Sequence, residues 1–166
     1  MEMSKKLVYF QELSNEAKEK ARAWFRENND YMFLEESLQE FVTEKLEEHG
    51  YSVEEPVKVL YDLSYCQGDG VSFTAVLSKN GQRYEVNQSG NYYHEYTMSV
   101  YHETEDGEET EEEAILSEMR AIAVEAKKYG YSFIESEDSN ENVDDAIMAN
   151  EYTFTLEGLR MSPDKN

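Results

Sequence analysis

Asp69 is the residue whose type and setting most suggest chemistry. It lies in the segment Gln67-Gly68-Asp69-Gly70, between two short apolar and aromatic runs. An aspartate in such a loop could act as a general base or as a metal ligand. Glycines beside an aspartate also supply the positive φ angles of a tight chain reversal. We therefore interpret Gln67, Gly68, Asp69 and Gly70 as a structural turn, and an enzyme centred on this turn as an alternative.

Cys66 is the single cysteine, and it directly precedes this turn. A cysteine paired with His94 or His102 on a neighbouring strand could form a nucleophile. A structural cysteine explains the same position without chemistry. The two histidines are eight residues apart, about 26 Å along an extended strand, so they cannot share a metal ion without a sharp bend. We predict no catalytic residue, no metal site and no cofactor.

The segment from Asp138 to Asp145 places oxygen-bearing side chains at alternate positions, as a calcium loop does. The sixth position is Val143 where such a loop needs glycine, and the twelfth is Ala149 where it needs glutamate. The pattern therefore indicates the capped start of an acidic helix.

Acidic residues form the most extensive chemical pattern. The chain has 37 acids against 15 bases, and residues 84–119 contain eleven acids without a lysine or arginine. Residues 129–159 contain eight acids and again no base. We predict that carboxylates from these segments bind a partner; the alternative is a solvated face that promotes solubility. The first candidate group is Glu103, Glu105, Asp106, Glu108, Glu109, Glu111, Glu112 and Glu113, and the second is Asp138, Glu141, Asp144 and Asp145.

Composition limits the class of protein and of partner. Aromatic residues make up 13% of the 166 residues, which is typical of a folded chain rather than of a disordered acidic tail. The formal net charge of −22 disfavours direct binding to nucleic acid or to anionic membranes and favours a basic protein partner. One cysteine and no long apolar run lead us to expect a cytoplasmic protein that does not span a membrane.

Hydrophobic periodicity predicts the elements that must position these residues. Helical spacing indicates helices over residues 14–28, 31–49 and from about 109 onward, with a short helix capped by Ser139 or Asn140. Alternation from Val57 to His102 predicts four strands, the fourth from about Tyr92 to His102, with a type I′ turn at Asn80-Gly81. The predicted fold is α+β, a four- to five-stranded antiparallel meander with three to four helices mainly on one face. We expect one domain over residues 1–160 and a flexible tail over residues 161–166.

Three segments carry a resemblance to a known family. They are Tyr9–Arg22, Leu63–Phe73 and Ala149–Gly158. In order and spacing they resemble the ELSxxAKxxAR, SQGDGAxF and NEYxFTxxG motifs of a family of small acidic phage and prophage proteins, some of which carry an antitoxin label. This chain departs from the pattern with Tyr65-Cys66 in place of Trp-Ser and with Val71 in place of alanine.

The resemblance implies a phage accessory protein and supplies no catalytic residues. Joined to the charge, it predicts a non-enzymatic inhibitor of a nucleic-acid-handling defence protein of the bacterial host, of the anti-CRISPR or anti-restriction type, acting by DNA mimicry. The alternative is an antitoxin that neutralises a basic toxin by the same electrostatic attraction.

Overall fold

The computed structural model describes residues 6–102 and 109–163. Within these ranges the chain forms an α+β fold. In chain order the elements are β1 (Val8–Tyr9), α1 (Asn15–Asn28), α2 (Leu34–Glu48), β2 (Ser52–Val53), β3 (Lys58–Asp62), β4 (Gly70–Lys79), β5 (Gln82–Gln88), β6 (Met98–His102), α3 (Glu109–Glu137), α4 (Asn140–Ala149) and β7 (Thr153–Phe154).

The chain divides into two compact units. The central unit is Phe33–Phe133, and the terminal unit combines the residues up to Met32 with those from Ile134 onward. The prediction of one domain stays a prediction.

A five-stranded antiparallel sheet organises the central unit, as predicted. Along one edge of β4, β3 pairs with the first half and β2 with the second, while β5 and then β6 extend the sheet from the other edge. The turn between β4 and β5 has positive φ at both Asn80 (53°) and Gly81 (79°), which confirms the predicted type I′ geometry.

The sheet buries one face under α2 and α3. Phe73 and Leu77 of β4 and Met98 of β6 are almost fully buried, and so are the apolar rows of both helices. The rows on α2 and α3 are Leu38, Val42, Leu46, Met119, Ile122 and Ala126. Alternating apolar residues on the strands and residues three or four apart on the helices therefore meet in one core.

The terminal unit has its own apolar cluster. Val8 of β1 is paired with Phe154 of β7 in a two-stranded antiparallel sheet, and α1 contacts α4. The cluster consists of Val8, Phe10, Leu13, Ala17, Ala21, Val143, Ile147 and Phe154. Trp24 packs against it, edge-on to Tyr152 and Phe154.

The ends of this unit are held by hydrogen bonds. Ser14 caps α1 and Ser139 caps α4, each accepting a hydrogen bond from a first-turn amide. Met161, which the sequence pattern assigned to the tail, donates its amide to the Thr153 carbonyl at 3.1 Å. The Thr153 hydroxyl donates in turn to the Met161 carbonyl at 2.5 Å.

Within the described ranges, no helix combines the length and the apolar character that a bilayer span requires.

Candidate functional site

The Asp69 carboxylate sits at the end of the connection between β3 and β4, and it is 7% exposed. The Ser64 and Cys66 amides donate to its Oδ2 at 2.8 and 3.0 Å. The Tyr131 hydroxyl of α3 donates to the same oxygen. The Ser64 hydroxyl lies 3.2 Å from Oδ1. The carboxylate thus links residues within the β3–β4 connection to one another and links the connection to α3.

These contacts move two pKa values apart. Burial alone would raise the pKa of Asp69, but the hydrogen bonds from Tyr131, Cys66 and Ser64 outweigh it, and the net pKa lies below the ordinary value. Burial, reinforced by the bond to Asp69, raises the pKa of Tyr131 to about 12. A general base works best with a pKa near the operating pH, so a carboxylate that is harder to protonate than usual is poorly suited to that task.

Glycines let the β3–β4 connection pack closely on its neighbours. Gly68 has φ of +91°, as the turn interpretation requires. Gly70 has ordinary backbone angles, but a Cβ there would lie 2.6 Å from His94 Cβ and 2.8 Å from the Tyr93 carbonyl oxygen. On α3, a Cβ at Gly130 would lie 2.5 Å from Leu63 Cδ1. The connection is therefore held between α3 and the loop before β6.

Cys66 and the histidines make separate contacts. Cys66 is exposed, with its sulfur 3.4 Å from the Ser64 carbonyl oxygen. His94 lies outside the strand that the sequence pattern predicted for it, because β6 begins only at Met98. Its Nδ1 accepts the Tyr96 amide at 3.1 Å and caps a 3-10 turn. His102 bonds through Nε2 to Gln82 Oε1 at 2.8 Å.

The acidic segment before α4 has a structural explanation. Ser139 is the N-cap, and its hydroxyl accepts the Asn142 amide at 3.2 Å. Across residues 6–102 and 112–163, no three histidine, cysteine, aspartate or glutamate side chains are grouped so that they could hold a metal ion.

The structure describes the side chains of only the last two acids of the first predicted group. Glu103, Glu105, Asp106 and Glu108 lie outside the described residues. Glu109 and Glu111 belong to α3, and their side chains also lie outside the described part. Glu112 is half-buried, and its Oε1 accepts the His102 amide at 3.1 Å. Glu113 is exposed.

In the second predicted group, two acids bind side chains of the same unit and the other two are exposed. Arg22 binds Asp144 through two parallel hydrogen bonds of 2.7 and 2.9 Å, and the pair raises the pKa of Arg22. The Tyr31 hydroxyl lies 2.8 and 2.9 Å from the two Asp138 oxygens. Glu141 and Asp145 are exposed on α4. Asp144 and Asp138 therefore serve the terminal unit, while Glu141 and Asp145 face solvent.

A third group of acids was missed from the sequence. Six exposed glutamates lie on α2, against one lysine. Three of them, which we call the α2 row, are Glu36, Glu40 and Glu44. The α2 row lines a groove of about 390 Å³ whose other wall includes Pro56 and Val57. The signal was the repeat of glutamate every fourth residue, which a count of acids per segment does not detect.

Comparison with protein-family models, with curated proteins and with solved structures finds no match to this chain.

Proposed function

We propose that this protein is a non-enzymatic acidic inhibitor that occupies the nucleic-acid-binding surface of a basic defence protein in a bacterial host. The observation that carries the proposal is the α2 row, three exposed carboxylates in line on a helix whose apolar face is fully buried in the core. A row of fixed negative charges is what the basic groove of a nuclease or a DNA-binding protein attracts.

The spacing of the row supports mimicry of a nucleic-acid backbone. Residues four apart on a helix rise by about 6 Å. Successive phosphates of one DNA strand rise by about 3.4 Å along the helix axis. Glu36, Glu40 and Glu44 thus space their charges along one helix on the same scale of a few ångströms as DNA spaces its phosphates along its axis.

The charge of the α2 row is not neutralised by bases in the described part of the chain, so it is available to a partner protein. The single base of α2, Lys45, has its amino group 3.5 Å from Glu48 and 3.7 Å from Glu125. In the described part of the chain no ion pair involves Glu36, Glu40 or Glu44. Asp144, by contrast, is already neutralised by Arg22.

The surroundings of Asp69 support the non-enzymatic part of the proposal. Its oxygens accept from backbone amides and a tyrosine, and its pKa is lowered. That pattern is typical of a carboxylate that stabilises a loop.

Charge neutralisation of the α2 row tests the proposal. We expect the triple variant E36Q/E40Q/E44Q to fold normally, because each side chain is exposed. Three exposed ion pairs contribute about 0.2–1 kcal/mol each, so affinity for a partner captured from a bacterial lysate should fall roughly three- to 150-fold. Calorimetry with the purified partner would measure the loss.

The matched control is E16Q/E27Q/D30N, which removes the same charge from exposed positions of the terminal unit. It should retain near-normal affinity at equal salt. Equal losses in the two variants would mean that only net charge matters, and the proposed role of the row would be wrong.

A further inference from the structure

Three tyrosines around the β3–β4 connection are exposed although they are large and aromatic. Tyr65 is 64% exposed, Tyr92 69% and Tyr96 70%. The loops that carry them pack together, since the Tyr92 ring lies beside Gly68 and the His94 backbone lies beside Gly70. We call Tyr65, Tyr92 and Tyr96 the tyrosine patch.

Tyr65 is held in an unusual backbone conformation. Its φ is +60°, a left-handed angle that costs a side chain with a Cβ and persists only where neighbouring contacts impose it. The Tyr65 amide donates to the Tyr131 hydroxyl at 3.0 Å, and the two rings lie 4.5 Å apart. The same Tyr131 hydroxyl donates to Asp69. The Asp69 contacts therefore orient an exposed aromatic ring.

Tyr96 shows which kind of chemical group packs against an exposed ring of the patch. The guanidinium of Arg120 lies over it at 5.2 Å from the ring centroid, and Arg120 Nε donates to the Glu95 carbonyl. The His94 ring approaches the same tyrosine at 6.0 Å. A planar cation over a tyrosine face is thus already present in the patch.

The charge around the patch selects a cation as its ligand. Apart from Arg120 over Tyr96, the segments that carry the tyrosines, residues 59–78 and 84–119, bring no lysine or arginine. Asp62 is exposed at the end of β3, and Glu95 neighbours Tyr96. Rigid exposed tyrosines give large contact area at low entropic cost, as they do at the centres of protein interfaces.

We propose that the tyrosine patch binds arginine side chains of the basic partner and is the aromatic anchor of that interface. The inference rests on the proposed function, because it assumes a basic protein partner. It adds stacking on an aromatic face as a source of selectivity for arginine over lysine, beside the bidentate pairing that carboxylates give.

Labelled nona-arginine and nona-lysine peptides are the probes, with binding measured by fluorescence anisotropy at constant salt. The patch variant is Y65N/Y92S, with asparagine chosen because it tolerates positive φ. We expect it to bind nona-arginine about tenfold more weakly, since each cation–π contact accounts for about threefold or more. Its binding of nona-lysine should change by less than about twofold.

Two matched variants separate the rings from other effects. Y65F/Y92F keeps both rings and should keep wild-type affinity for nona-arginine. Y9S/Y101S removes two exposed tyrosines outside the patch and should also leave affinity unchanged. NMR of the wild-type chain gives a second readout that needs no variant, in which nona-arginine should shift the ring signals of Tyr65 and Tyr92 more than those of Tyr9 and Tyr101.

Three results would overturn the inference. They are an equal loss of affinity in Y9S/Y101S, an equal loss for both peptides in Y65N/Y92S, and patch-dependent binding of a (dT)12 oligonucleotide. Failure of the proposed function looks different. In that case E36Q/E40Q/E44Q leaves partner binding unchanged, whatever the tyrosine variants do.

Discussion

Replacing Asp69 with asparagine removes one negative charge and keeps the shape of the side chain. The amide oxygen can still accept from Ser64, Cys66 and Tyr131 if it takes the place of Oδ2. Hydrogen bonds to a charged acceptor contribute about 1.5–3 kcal/mol and neutral ones about 0.5–1.5, so the change costs about 1 kcal/mol per bond. Burying a neutral amide is easier than burying a charge, which offsets part of this cost. We expect a net loss of about 2 kcal/mol in the free energy of unfolding at pH 7.

The loss should depend on pH in a defined direction. The folded-state pKa of Asp69 is lower than its unfolded value of 3.8. The stabilisation is therefore fully present above the unfolded pKa and declines as the pH falls from that value through the folded pKa. The difference between wild type and D69N should be constant at neutral pH and shrink as the pH falls below about 4.

Urea unfolding followed through the NMR amide signals of β4 measures this difference within the central unit. E55Q, at an exposed acid just before β3, is the control and should cost less than about 0.5 kcal/mol. A D69N chain as stable as wild type at pH 7, or a difference of constant size at all pH values, would refute the role assigned to the carboxylate.

Three further changes test the contacts around the candidate site and the terminal unit. G70A should destabilise the sheet by about 1–3 kcal/mol because the new methyl group meets the His94 backbone, and unchanged β4 unfolding would contradict that packing. Y131F should cost about 1–2 kcal/mol at pH 7, and the cost should vanish as pH rises from 10 towards the folded-state pKa of about 12; a constant cost would argue against the bond to Asp69. D144N should lower the urea midpoint read by Trp24 fluorescence by more than exposed D145N does, and equal effects would discount the Arg22 pair.

Local signals predicted much of the fold. Ser14 marked the start of α1 because a hydroxyl at the N-cap satisfies a free amide, and it caps α1 in the structure. Ser139 and Asn140 were the two candidates for the cap of α4, and the structure has Ser139 there. Asn80-Gly81 marked a hairpin because few residues adopt two successive positive φ angles. The pairing of β3 with β4 followed from alternating apolar residues on both strands.

Two boundaries were wrong for reasons outside the local pattern. The predicted second helix began at Tyr31, but α2 begins at Leu34, and Tyr31 instead has φ of +49° and bonds to Asp138 far along the chain. The predicted fourth strand ran from Tyr92 to His102, but the sheet resumes only at Met98. Tyrosines at alternate positions gave a strand-like pattern, but in the structure these side chains are exposed and precede the strand.

The candidate site was only partly visible in the sequence. The turn at Gly68 followed from glycine chemistry, whereas the bond between Asp69 and Tyr131 joins residues 62 positions apart and has no local signature. The need for glycine at position 70 arises from the close approach of His94, which is likewise a tertiary contact. The acids were recognised by number, but the α2 row required knowing which face of α2 the core leaves exposed.

Competition between this protein and nucleic acid for one partner tests the central claim most directly. The partner, captured from a bacterial lysate and purified, is loaded with a fluorescent DNA duplex, and this protein is titrated in. Wild type should release the duplex, E36Q/E40Q/E44Q should need a several-fold higher concentration, and added salt should weaken the competition. A partner that binds this protein and its DNA together, with no loss of affinity for either, would contradict the claim.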